Sequence, residues 1–220
     1  MSRKAAQLPL GPELPERLER LEPAALSHDL SLREAELAGA ELSEQRARGV
    51  SITASRLGGV DLSGSRLEHL RFASVLLRDC NLANVHAGSA RLARVAIENC
   101  RLTGLAFASA HLSDVSFKGC RIGLASFASA RLERVSFDDC MLSQTDFLDA
   151  RLQSVSFSGC ELERVDLRGA RLERCEFRRC TLEALRGAES LRGAAFEWPA
   201  IVELAGLWAE TLGIEVLGNS

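Results

Sequence analysis

Tyrosine is absent from the 220-residue sequence, methionine and tryptophan occur twice each, and aromatic residues make up only 5%. So sparse an aromatic supply argues against a surface built to stack on bases or sugars. Five prolines are too few for a collagen-like or proline-rich chain, and 46% hydrophobic residues exclude a disordered one. No run approaches the roughly eighteen apolar residues of a membrane-crossing helix. Residues 1–9 carry two basic side chains but no hydrophobic region leading to a cleavage site, so a cytoplasmic protein without membrane contact is expected. Neither sign of charge dominates: 27 basic and 30 acidic side chains leave -3, which gives no global argument for nucleic-acid binding. There is no C-x-x-C pair, H-E-x-x-H, G-x-S-x-G or glycine-rich phosphate loop, and His28, His69, His86 and His111 are scattered. No catalytic group, cofactor or metal site is expected.

What the sequence has is a repeat. From Leu32 through Leu37, Leu42, Ala47 and Ile52 to Leu172, Phe177 and Leu182, a mostly apolar residue returns at every fifth position, giving 31 consecutive centres. Two positions before each centre stands a small or apolar residue such as Ala40, Val60 or Cys80, with Gln45, Ser55, Ser65 and Thr145 as polar exceptions. A period of five moves an apolar residue about 140° around a helix at each step, so no helical face could collect the stripe. Centre and centre minus two do share one face of a short strand. Gly39, Gly49, Gly59, Gly64, Gly104, Gly119, Gly159 and Gly169 fall two after a centre, joined by Asn84 and Asn99, where a turn needs positive φ. Each pentapeptide thus reads as one side and one corner.

A second period sets the number of sides. Cys80, Cys100, Cys120, Cys140, Cys160 and Cys180 recur every 20 residues, as do Phe117, Phe137, Phe157 and Phe177. Twenty residues at five per side give four sides per coil. The 31 sides make about 7.75 coils, an all-β solenoid of square cross-section roughly 37 Å long at the spacing of parallel strands. These columns are the expected core. The cysteines occupy inward positions as small hydrophobes, with only Cys175 and Cys180 on adjacent sides. Units such as Ala40-Glu41-Leu42-Ser43-Glu44 and Ala170-Arg171-Leu172-Glu173-Arg174 resemble the pentapeptide-repeat family, with its loose A(D/N)LXX pattern. The resemblance implies a right-handed quadrilateral β-helix.

Three regions follow. Residues 1–29 form an N-terminal tail in which Leu14, Leu18 and Leu21 have the spacing of a short helical cap; residues 30–184 form the β-helix; residues 185–220 form a C-terminal cap. In the last region Gly187 stands where a centre is due, and Leu191 and Phe196 continue the pattern one residue early. Pro199 can open a helix whose apolar face is Ile201, Leu204, Ala205, Trp208 and Leu212, ended by Gly213, with Ile214 to Val216 as a final strand. In relatives such a segment caps the last coil and makes a two-fold dimer, which places Ile201, Leu204, Leu207 and Trp208 at a homodimer interface.

The outward positions suggest interaction surfaces. Arg91, Arg131, Arg151 and Arg171 line one column with His111, open to three readings: a solvated face, a site for an acidic protein, or a nucleic-acid contact. Asp138 with Asp139, and Asp146 with Asp149, read as charged corners, since a regular rod offers no shielded cleft. Some family members bind DNA gyrase or topoisomerase IV as duplex-sized acidic rods and protect them from quinolones or natural toxins. That resemblance implies a type II topoisomerase as partner and a non-enzymatic, partly DNA-mimicking module; the alternatives are a scaffold for another protein and a nucleic-acid-binding rod. Residues 30–184 hold 21 basic and 20 acidic side chains, whereas residues 185–220 hold two and five, so acidity gathers in the C-terminal segment, at Glu203 and Glu210 among others.

Overall fold

In the computed structural model, which describes residues 5–22 and 25–215, the chain winds as a parallel β-solenoid of about 9 turns with a small helical portion at its C-terminal end. The 20-residue period is the strand register itself. The eight-residue strands Ser51–Gly58, Arg71–Arg78, Arg91–Glu98, His111–Lys118, Arg131–Asp138 and Arg151–Ser158 pair in parallel, each residue opposite its equivalent one coil on, as in Val75, Val95, Val115, Val135 and Val155. Each of these strands covers two sides of the square. The other two sides are joined by short ladders, such as Glu161–Glu163 with Thr181–Glu183, and by single bridges.

Corners turn where φ becomes positive, two residues after each centre. Most such positions are not glycine: Asp79, Asn84, Ser89, Arg94, Asp114 and Asp149 have φ of 54°, 57°, 58°, 54°, 57° and 55°. The ladder holds them in a region that disfavours most L residues. A glycine in the next coil often leaves room for the side chain below; a Cβ built on Gly169 meets Asp149 Oδ1.

Both core columns are buried except at their C-terminal ends, where Cys180 and Phe196 are partly exposed. The rings of Phe117, Phe137, Phe157, Phe177 and Phe196 stack at centroid distances of 4.8, 4.9, 4.8 and 4.7 Å. Parallel strand spacing imposes this face-to-face order, and edge contacts of 6.3 Å to Phe127 and Phe147 supply the arrangement that aromatic quadrupoles prefer. The cysteines do more than fill space. Cys80 Sγ faces the carbonyls of Leu57 and Arg78 at 3.4 and 3.3 Å, and Cys100 Sγ accepts the Cys80 N–H at 3.3 Å. Ser55 occupies the equivalent place in another column, donating to Thr53 O at 2.7 Å and accepting from Ala35 N at 3.0 Å. Thr145 donates to Ile122 O at 2.6 Å, so the polar exceptions at minus two are satisfied by their own and the neighbouring coil.

The ends depart from expectation. Residues 14–21 form no helix: the segment is extended, and Glu19–Arg20 pairs in parallel with Ala35 and Glu36 beneath the first coil. The exposed edge offers backbone partners that an isolated helical turn lacks, and Leu26, 6% exposed, closes the core there while its N–H donates to Gln45 Oε1 at 3.2 Å. At the other end Ala195–Phe196 pairs with Glu176 and Phe177 in a 19-residue register, matching the early position of Phe196. The terminal helical face divides at Leu204 into α1 (Trp198–Glu203) and α2 (Ala205–Thr211). Gly213, at φ 71°, ends α2, with Gly213 N–H donating to Glu210 O and Ile214 N–H to Ala209 O. Ile214 and Glu215 are not in a strand, and Val216 lies outside the described residues.

Candidate interaction surfaces

Outward side chains of successive coils stand above one another, so any surface feature is a column. Arg71, Arg91, His111, Arg131 and Arg151, at the start of long strands, and Arg171, at the start of the short strand Arg171–Glu173, are register partners, which places them about 4.8 Å apart along the rod. Like charges opposite one another in a sheet are destabilising, and among the described residues none of these arginines forms an ion pair. Ser89, Ser109 and Ser129 run beside Arg91, His111 and Arg131 and line a shallow open hollow with them. The column is therefore continuous, basic and open. Glu203 and Glu210 are exposed on α1 and α2 and do not belong to it.

The adjoining face is occupied. Residues 6–20 run across the coils as an extended strap, opposite in direction to the winding of the solenoid. Ala6 N–H donates to Glu176 Oε1 at 3.0 Å, Leu10 N–H to Asp114 Oδ1 at 3.2 Å, and Glu13 pairs with Arg94 at 2.6 Å. Pro9, Pro12 and Pro15 lie three apart and suit a segment without a ladder of its own. Beneath it the outward column of Ala96, Ser116, Ser136 and Ser156 is small, and outward Ala96, Asp114, Ser136 and Ser154 are buried to 8%, 7%, 4% and 1% exposure. The Asp114 carboxylate also accepts from Arg134 Nε and Nη2, both at 2.8 Å, and from Ser113 Oγ at 3.2 Å. The Arg134 guanidinium chiefly, then the Leu10 N–H and Ser113, hold Asp114 below the usual carboxylate range against the opposing effect of burial. Sequence reasoning missed this face; its signals were the regular prolines and an outward column that shrinks from Arg56 and Leu76 to alanine and serine.

The cap places its apolar residues on both sides. Leu204 is 2% exposed, and Ile201, Leu207 and Trp208 are partly buried, Trp208 edge-on to Phe196 at 6.1 Å. Leu204 is thus core of its own protomer and not free for a partner. The apolar side chains left exposed are Trp198 at 76%, Val202 at 60%, Leu212 at 74% and Ile214 at 56%. Among the described residues no cluster of three or more His, Cys, Asp or Glu is arranged to hold a metal ion, and no helix is long and apolar enough to cross a membrane. Burial pushes Cys175 up to about 11, and chiefly burial raises Asp138 above its ordinary value at its corner.

A family model described as the pentapeptide repeat region matches residues 90–167 and 125–186, within the columns just described. Residues 90–186 thus carry the repeat of the pentapeptide-repeat family. Among solved structures it is similar to HetL, a pentapeptide-repeat protein involved in heterocyst differentiation regulation in Nostoc sp. strain PCC 7120. That match has 17% identity and a TM-score of 0.47 over 72% of this chain and 85% of HetL. It is also similar to full-length QnrB1, a plasmid-mediated fluoroquinolone resistance protein, at 17% identity and a TM-score of 0.23 over 86% of this chain and all of that one. A third is Rfr23, a pentapeptide-repeat protein of the cyanobacterium Cyanothece 51142, at 15% identity and a TM-score of 0.11 over 77% of this chain and 90% of Rfr23. No curated protein matches the chain.

Proposed function

We propose that this pentapeptide-repeat protein is a non-enzymatic interaction rod, and that its partner is a type II topoisomerase, DNA gyrase or topoisomerase IV, which it protects from quinolones or natural toxins. The observation that carries the reading is the unbroken parallel ladder, whose rigid outward columns meet a partner without the entropy cost of ordering loops. The near-neutral solenoid argues for shape more than charge as the matching feature, with the acidic Glu203 and Glu210 contributing at the C-terminal end. In this reading the cap also joins two copies through Trp198, Val202 and Leu212, with Ile201, Leu207 and Trp208 supporting that surface from beneath. Supercoiling and cleavage assays with the cognate gyrase, with and without toxin, test the proposal. Relief of toxin-stabilised cleavage is expected, weakened more by neutralising Glu203 and Glu210 than by neutralising Arg131 and Arg151; no inhibition and no protection at micromolar protein would reject it.

The open arginine column favours a second reading, a scaffold that docks an acidic protein. Under it the Arg131 and Arg151 substitutions would be the damaging pair, and binding would fall steeply with salt.

A further inference from the structure

We propose that the face beneath the N-terminal strap is a docking trough for an extended acidic segment of another protein, and that residues 6–20 are a built-in occupant which such a segment displaces. The trough has a floor of small side chains, Ala96, Ser116, Ser136 and Ser156, and a rim of charge at Arg94, Asp114, Arg134 and Arg174. The strap reads as a bound template. It crosses the coils in extended form, donates a backbone N–H to Asp114 and places the Glu13 carboxylate on Arg94.

The fit is incomplete at one place. Ser154 is 1% exposed, yet its Oγ has no hydrogen-bond partner, and one coil on the buried Nε of Arg174 has none either. Both lie in the same corner column as Asp114, along the stretch the strap crosses between Leu10 and Ala6. A buried donor without an acceptor is destabilising, so the trough suits an occupant with an acceptor here. Leu8 and Leu10 turn outward, at 76% and 58% exposure, and Pro9 between them is half-buried. Position 9 is thus the inward-facing strap position between Leu10 and Ala6, from which a carboxylate side chain would extend toward these donors. The grip of the strap is correspondingly light. Its ends are anchored, by the Ala6 N–H on Glu176 and the Glu19–Arg20 pairing with Ala35 and Glu36, but among the described residues the stretch from residue 7 to residue 18 is tied to the solenoid by the Leu10 N–H bond and the Glu13–Arg94 ion pair alone, which puts that stretch at the low-stability end for local opening.

The test uses the full-length protein and a fluorescein-labelled peptide of residues 5–22, in its natural sequence and as Pro9→Glu. Binding is followed by fluorescence anisotropy. The tethered strap competes at an effective concentration of about millimolar, so wild-type protein should bind the natural peptide weakly and the Glu13→Arg protein at least tenfold more tightly. On the Glu13→Arg protein, the Pro9→Glu peptide should bind about tenfold more tightly than the natural one, and adding Ser154→Ala or Arg174→Ala should abolish that gain without altering the melting temperature. Absence of saturable binding of either peptide to the Glu13→Arg protein would overturn the trough. Equal affinities for the two peptides, or a gain that survives both alanine substitutions, would overturn the acidic ligand. Neither readout involves a topoisomerase, so these outcomes are separate from the fate of that proposal.

Discussion

Replacing Gly187 with alanine probes the point where the regular winding stops. Gly187 stands where an apolar centre is due, at φ 81° and ψ 43°, and introduces the 3-10 turn Ala188–Leu191. A Cβ built there overlaps Arg168 N and falls 2.6 Å from Leu167 C and 2.7 Å from Arg168 Cα, all backbone atoms that cannot rotate away. The left-handed conformation alone costs an L residue about 1–2 kcal/mol. Relieving the overlap means moving one coil against the next, an overpacking strain of about 1–3 kcal/mol. The expected loss is therefore about 2–5 kcal/mol. Two controls separate the contributions. At Gly213, φ 71°, nothing among the described residues lies within 4 Å of the added atom, so Gly213→Ala should cost only the conformational part. At Gly169, φ 69°, the added atom meets the Asp149 carboxylate at the end of a rotatable side chain, so Gly169→Ala should fall between the two. Urea denaturation followed by tryptophan fluorescence isolates the effect, because both tryptophans, Trp198 and Trp208, sit in the cap, while far-ultraviolet circular dichroism follows the rod. If Gly187→Ala lowers the fluorescence midpoint no more than Gly213→Ala, the backbone overlap is not what excludes a side chain.

Further outcomes follow from the columns and the cap. Ala150, fully buried in the small column of Ala90, Ala110 and Ala130, should lose at least about 3 kcal/mol as Ala150→Phe, whereas exposed Arg151→Ala should stay within about 0.5 kcal/mol; equal losses in chemical denaturation would undermine the assignment of inward and outward positions. Leu204→Glu should lower the tryptophan-detected midpoint in monomer and dimer alike, while Trp198→Glu should leave that midpoint unchanged and shift sedimentation toward monomer; a protein that sediments as monomer at every concentration would remove the dimer. A thiol reagent should label the partly buried Cys180 first and the buried Cys80 to Cys160 column only on unfolding, so rapid labelling of Cys120 in native protein would contradict the buried ladder. Because the folded Asp114 has a lowered pKa, its contribution is present above the unfolded value of about 3.9 and is lost as pH falls through the lower folded value. The Leu10 amide resonance should thus hold constant from neutral pH to about pH 4 and move only below it; a transition near pH 6 would point to another group.

The repeat was legible because inward positions answer to one rule in every coil. Val95, Val115, Val135 and Val155 meet their own equivalents, so each was foretold by the one 20 residues before it. Cys80 through Cys160 and Cys175 are buried and Cys180 is partly so, but the sulfur-to-carbonyl contacts, shared in kind with Ser55 and Thr145, emerge only when the coils are stacked. The ends have no preceding coil to predict them. Leu14, Leu18 and Leu21 carry helical spacing, yet extended backbone can pair with the open edge at Ala35 and Glu36, and that tertiary opportunity outweighs the local pattern. The cap is legible as a helical face, but that Leu204 packs into its own protomer, at 2% exposure, is set by the last coil and not by the helical spacing. The strap is harder still to read, since Leu10 finds Asp114 across 104 residues with no periodic cue linking them. Small residues in an outward column were the available clue.

Direct binding to the cognate gyrase, followed by analytical ultracentrifugation of the full-length protein with the purified enzyme, tests the functional account most directly. The account predicts a complex at micromolar concentration that duplex DNA displaces and that Glu203→Gln with Glu210→Gln weakens. Independent sedimentation of the two proteins across that range, or a complex indifferent to both DNA and the glutamate substitutions, would contradict it.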